Sequence, residues 1–221
     1  MTIQGTVNKT AILLTCLLIS AGWVWNEYYS GATNIAPWMY GGMFGGLIIG
    51  MVTLFKKEWA GVTAPIYAFC EGLFLGGISA KLEAVFPGIV IQAVGLTFGT
   101  LFGLLMAYKS GLIKATENFK LGVVAATGGI MLLYFVSIVL SFFGIGIPFI
   151  HSSGTFGILF SLFVVVVAAL NLVLDFDFIE QGAEQGAPKF MEWYAAFGLL
   201  VTLVWLYLEI LRLLSKLRSR N

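Results

Sequence analysis

The sequence predicts an all-α membrane protein, a bundle of seven transmembrane helices. Of its 221 residues 59% are hydrophobic and only 10% are charged, which soluble domains do not tolerate. The apolar residues gather into seven runs, each near the ~20 residues a helix needs to cross the hydrocarbon core. These runs are continuously apolar, whereas a membrane barrel needs alternating sides. The loops are short, so residues 1–221 read as a single integral domain.

The first run, about 11–29, follows Lys9 and lacks a small-residue cleavage site, so it reads as a retained span and not a signal peptide. Trp23, Trp25, Tyr28 and Tyr29 at its end meet Trp38 and Tyr40 across the first loop, as interfacial anchors do. The second run, 37–55, carries Gly42, Gly46 and Gly50; the third, 62–80, carries Gly72 and Gly76; the fourth, 88–108, carries Gly95, Gly99 and Gly103. Glycine at every fourth position makes a smooth stripe on a helix, where a neighbouring backbone can approach. Packing within the chain is the first expectation for all three stripes, and a homodimer seam the second. Trp59, Tyr67 and Tyr108 are expected near membrane surfaces. The fifth, sixth and seventh runs cover about 121–143, 155–178 and 190–213.

Lys9, Lys56, Lys57, Lys109, Lys114, Lys120 and Lys189 fall on the side of the N-terminus, against Lys81 alone in the loops opposite. Cytoplasmic loops collect Lys and Arg, so the N-terminus is expected in the cytoplasm. Seven full crossings then leave Arg212, Lys216, Arg218 and Arg220 outside, against the same rule. A bent or re-entrant last segment, with Gly198 as the candidate break, would return the tail to the cytoplasm.

A net charge of +1 gives no field for nucleic acid, and none is expected as a partner. Cys16 and Cys70 lie in apolar runs and read as buried hydrophobes. His151 has no second imidazole or thiolate near it in sequence, so a metal role is not expected. No phosphate loop, nucleophile triad or Gly-x-Gly-Asp protease motif appears, and the chain is not expected to be an enzyme or to carry a cofactor.

Intramembrane acids are costly and therefore candidates for function. Glu71 lies about 13 Å into its helix at 1.5 Å per residue, too deep to snorkel. Asn171 and Asp175 are four apart and share a helix face, whereas Asp177 points about 200° away from Asp175. Each has a plainer reading: a hydrogen-bonded packing acid for Glu71, interfacial solvation for Asp175 and Asp177. Glu209 and Arg212 are three apart, and an ion pair along one helix is the plain reading there.

The phrases "EGLFLGGISA", "LNLVLDFDFIEQG" and "MEWYAAFGLLVTLVWLYLEILRLL" resemble the transmembrane Bax inhibitor motif family, and its bacterial YccA-like branch more closely. The resemblance runs over most of the chain. It implies a central last helix wrapped by the other six, and a pH-sensitive calcium leak in which two acids, late in the sixth helix and in the seventh, share a proton beside the pore. Carried over, these are Asp175, with Asp177 as rival, and Glu209. Asn171 and Glu71 would line the same path, and Ca²⁺ would bind transiently at Asp175 and Glu209. The pair is 34 residues apart, and a straight seventh helix carries Glu209 about 28 Å from its start, so contact requires the bent last segment. Calcium or another cation, the lipid bilayer and a membrane-protein partner are the implied associates, and a bacterial inner (plasma) membrane the implied location. A membrane-embedded regulator of a protease or stress response, without transport, is the alternative.

Overall fold

Thr2 starts the first helix by accepting the amide of Gly5 on its hydroxyl at 3.0 Å, so the polar stretch before the apolar run is already helical. The computed structural model describes residues 1–31, 34–144 and 154–220. Its helices are α1 (Ile3–Ser30), α2 (Ala36–Phe55), α3 (Ala60–Val85, entered through the short turn Lys57–Trp59), α4 (Ile89–Lys109), α5 (Glu117–Phe142), α6 (Thr155–Glu184) and α7 (Met191–Arg218). Seven are long and apolar enough to cross a membrane, and no strand occurs among the described residues. Every expected run is present. Most are longer than the apolar stretch, because a helix continues through the interface until a cap or a turn ends it. Thr116 caps α5 through the amide of Phe119, and α6 runs on to Glu184 before Gly186, at φ 62°, turns the chain.

The last helix departs from expectation. Met191–Arg218 is helical without interruption through Gly198, so the re-entrant path is not adopted. A lone glycine costs a helix only about 1 kcal/mol relative to alanine, too little to break one with long apolar flanks. Its apolar window is 61% buried, the most of the seven, against 11% for α5.

The chain forms two compact units, one of residues 1–87 and 177–201, the other of 88–176 and 202–221; the division falls within both α6 and α7. In the first unit α3 packs on α1 and α2. A methyl group added at Gly46 would meet the Glu71 carboxylate, and one at Gly42 the backbone of Cys70; Gly72 lies against Leu17 and Ser20 of α1, and Gly76 against Ala21. These two stripes pack within the chain as expected. Val24, Ile35 and Leu73, with Tyr28, fill the contact, and Trp23 meets Trp38 edge to face at 4.9 Å. Tyr67 is not interfacial: it is 6% exposed and packs edge to face on Phe197 at 4.9 Å.

In the second unit Ile130, Val164 and Val167 make a core with Ala126, Tyr134, Phe160 and Trp205. The α4 stripe behaves differently from the other two. Among the described residues nothing lies within 4 Å of a methyl added at Gly95, Gly99 or Gly103. His151 lies outside the described residues.

Candidate functional site

Asp175 is five helical turns into α6, and its side chain bonds Thr202 of α7. Its second carboxyl oxygen, Oδ2, is buried and has no hydrogen-bond partner, the one such side-chain atom among the described residues. Buried polar atoms are nearly always satisfied, because an orphan forfeits its hydration without return, at about 1–3 kcal/mol. A membrane helix that keeps one is carrying a cost that packing alone does not require.

Asn171, one turn earlier, faces α5 instead. Its amide donates to Thr127 Oγ1 and to the Val167 carbonyl, both at 2.8 Å. The two residues are adjacent on α6 yet address different neighbours. Asp177 accepts from Gln181 at 2.7 Å, one turn along the same helix. It belongs to the other unit, as does Glu71. Glu71 takes a hydrogen bond from the Tyr67 hydroxyl and rests against Gly46. The plain reading of Glu71, a bonded packing acid, describes that geometry.

Glu209 is not joined to Asp175. Its carboxylate accepts from Arg212 Nη1 at 2.9 and 3.0 Å and from the Tyr134 hydroxyl at 3.1 and 3.3 Å. Arg212 also donates to the Tyr134 oxygen at 2.5 Å, so the tyrosine hydroxyl donates a hydrogen bond to the acid while accepting one from the base. The guanidinium lies 5.1 Å from the centre of the Tyr134 ring. Glu209 is 2% exposed, and its charge is already balanced. The residue of α7 that meets Asp175 is Thr202, seven residues and so about 10 Å before Glu209 on a straight helix. Asp175 and Glu209 therefore do not share a proton in this arrangement: the last helix runs through Gly198 without a break, and each acid has other partners or none. Among the described residues no group of three or more His, Cys, Asp or Glu is placed to hold a metal ion.

Three further polar constellations carried no signal in the sequence. Glu192, 3% exposed, accepts from Lys9 at 2.5 Å and from the Thr2 amide and hydroxyl at 3.0 and 3.1 Å. Gly5 is the residue that gives this carboxylate room on α1. Lys216, 6% exposed, donates to Ser161 Oγ at 2.9 Å and to the Gly157 carbonyl at 3.1 Å. Thr53 and Thr63 join α2 to α3 through their hydroxyls at 2.8 Å.

The family model described as Bax inhibitor 1 like matches residues 1–219. The chain belongs to that family. No curated protein and no solved structure matches it. A Bax inhibitor type chain with seven apolar helices is an integral membrane protein, and here Asp175 of α6 is bonded to Thr202 while Glu209 of α7 is bonded to Arg212.

Proposed function

We propose that the protein is a passive, pH-sensitive cation leak, with Ca²⁺ as the ion of interest, whose sensor is Asp175 acting alone. The observation that supports this reading is the sealed, unbonded Oδ2 of Asp175 beside Thr202. In this arrangement an ionised Asp175 has, among the described residues, one hydroxyl donor and no cation to answer its charge, and a buried unpaired charge is expensive. Water or a cation entering between α6 and α7 relieves that cost. Carboxylate, hydroxyl and backbone carbonyl oxygens are the ligands that a hard ion such as Ca²⁺ takes. Protonation removes the charge and the reason to open, so flux rises with pH.

The test is Ca²⁺ entry into proteoliposomes across a pH series. Wild type is expected to leak more as pH rises, and Asp175→Asn to leak slowly at every pH. A variant that keeps the wild-type pH profile would remove Asp175 from the mechanism. Glu209→Gln is expected to leave the shape of the profile intact, since Glu209 is neutralised by Arg212 and bonded to Tyr134.

The open glycine stripe of α4 favours a second reading, a membrane-embedded interaction protein without transport of its own. A stoichiometric membrane partner recovered from native membranes, together with no flux from the purified chain, would establish that reading in place of the first. The reading also places the chain in a bacterial inner membrane with its N-terminus in the cytoplasm.

A further inference from the structure

Helices α6 and α7 are tied at two levels, and the spacing of the ties is the same on both. Asp175 meets Thr202, and Ser161 meets Lys216. From 161 to 175 on α6 is 14 residues, and from 202 to 216 on α7 is again 14. Antiparallel helices in one register require this equality. The two ties are therefore about 21 Å apart along the pair, most of the ~30 Å hydrocarbon thickness. The apolar side chains Val164, Val167, Leu172 and Leu203, Leu206, Ile210, all buried, occupy the helices between those levels.

The tie at Lys216 is unusual chemistry for its place. An ammonium group is strongly hydrated, and burying one requires donors' worth of acceptors in return. Lys216 finds the Ser161 hydroxyl and the Gly157 carbonyl in the first two turns of α6, where Gly157 is itself buried. It sits in the last turn of α7, the end of a helix that favours a cation. One turn before it, Arg212 is paired with Glu209, whose charge also acts on Lys216, and Arg218 stands in the same last turn, so among the described residues this end of α7 holds three basic residues and one acid.

We infer that Lys216 is the residue that closes α6 and α7 at the level far from Asp175, and the buried positive charge that a cation must pass there. This rests on the leak reading above and adds its restricting element. Lys216 acts in two ways: its bonds to Ser161 and Gly157 hold the helix ends together, and its charge repels a divalent ion more than a monovalent one, since the Coulomb energy scales with the product of charges.

The experiment combines flux with a distance. Purified full-length protein in proteoliposomes is assayed for Ca²⁺ and K⁺ entry as wild type, Lys216→Gln and Ser161→Ala. In parallel, spin labels on cysteines placed at the exposed positions Leu159 and Leu217, with Cys16 and Cys70 replaced, report the gap between the helix ends. Lys216→Gln is expected to raise Ca²⁺ entry about tenfold and K⁺ entry less, and to widen or broaden the distance distribution. Ser161→Ala, which removes one bond and keeps the charge, is expected to broaden the distances with a smaller rise in flux. An unchanged distance distribution in both variants overturns the closing role. A leaking wild type whose Ca²⁺ to K⁺ ratio is unaltered by Lys216→Gln overturns the charge barrier. If no form of the protein passes cations, the leak reading falls, and the distances still decide whether Lys216 holds the helices.

Discussion

Asp175 and Glu209 are both carboxylates within membrane helices, and they differ in what answers their charge. Glu209 has a guanidinium and a phenol on its two oxygens, whereas Asp175 has a threonine on one side and nothing on Oδ2. The two therefore respond oppositely to truncation. Glu209→Gln leaves Arg212 without its counter-charge in a half-buried setting, and removing one partner of such a pair costs about 3 kcal/mol. Asp175→Ala removes an orphaned oxygen and is expected to be neutral or stabilising by about 1 kcal/mol. Thermal unfolding of the two variants in detergent, followed by tryptophan fluorescence, checks the contrast; a loss at Asp175 as large as at Glu209 would mean that Asp175 is held by more than Thr202. Part of this contrast was legible in the sequence. The i,i+3 spacing of Glu209 and Arg212 announces their ion pair, because helical geometry alone sets it. Thr202 and Tyr134 could not be found that way, since what places them is the register between helices, and a threonine or tyrosine in an apolar run has no distinguishing pattern.

At the level of the helix, glycine every fourth residue reads identically in α2, α3 and α4, and the structure uses it in two ways. Gly72 is pressed against Leu17 and Ser20, and Gly46 against Glu71, while Gly95, Gly99 and Gly103 face open space among the described residues. The period shows that a face is smooth and says nothing of what covers it. Gly72→Ala is thus expected to destabilise the chain by about 2 kcal/mol, since the α1 backbone itself must move to admit a methyl group. Gly99→Ala meets no neighbour and gains helix propensity, a change of about 1 kcal/mol in the favourable direction. The unfolding temperatures of the two purified variants measure the difference. A large loss for Gly99→Ala would show that a second chain lies on α4, which is the homodimer seam that the sequence left as the lesser option. Helix existence was readable throughout for the converse reason: hydrocarbon forces each apolar run to satisfy its backbone internally, so seven runs become seven helices.

For the whole molecule, the decisive feature is that the seventh helix is continuous. If each of the seven helices crosses, the two termini lie on opposite sides, in conflict with a simple count of basic residues that would draw the tail to the side of Lys56 and Lys57. The conflict shrinks once the partners of those residues are known. Arg212 and Lys216 are inside α7, the first paired with Glu209 and the second bonded to Ser161 and Gly157, so neither is a loop charge; Lys9, held by Glu192 in α1, and Lys120, paired with Glu117 in α5, are discounted on the same ground. What remains is Lys56, Lys57, Lys109, Lys114 and Lys189 on the N-terminal side against Lys81, Arg218 and Arg220 on the other, five against three. The bias then agrees with a cytoplasmic N-terminus and an external C-terminus. With Cys16 and Cys70 replaced, Ser110→Cys in the loop after α4 is expected to resist a membrane-impermeant maleimide added to intact cells, and Arg220→Cys to react with it. Labelling of both from the same side would mean that one of the seven helices does not cross, and the burial of its apolar face would then have to come from the membrane surface.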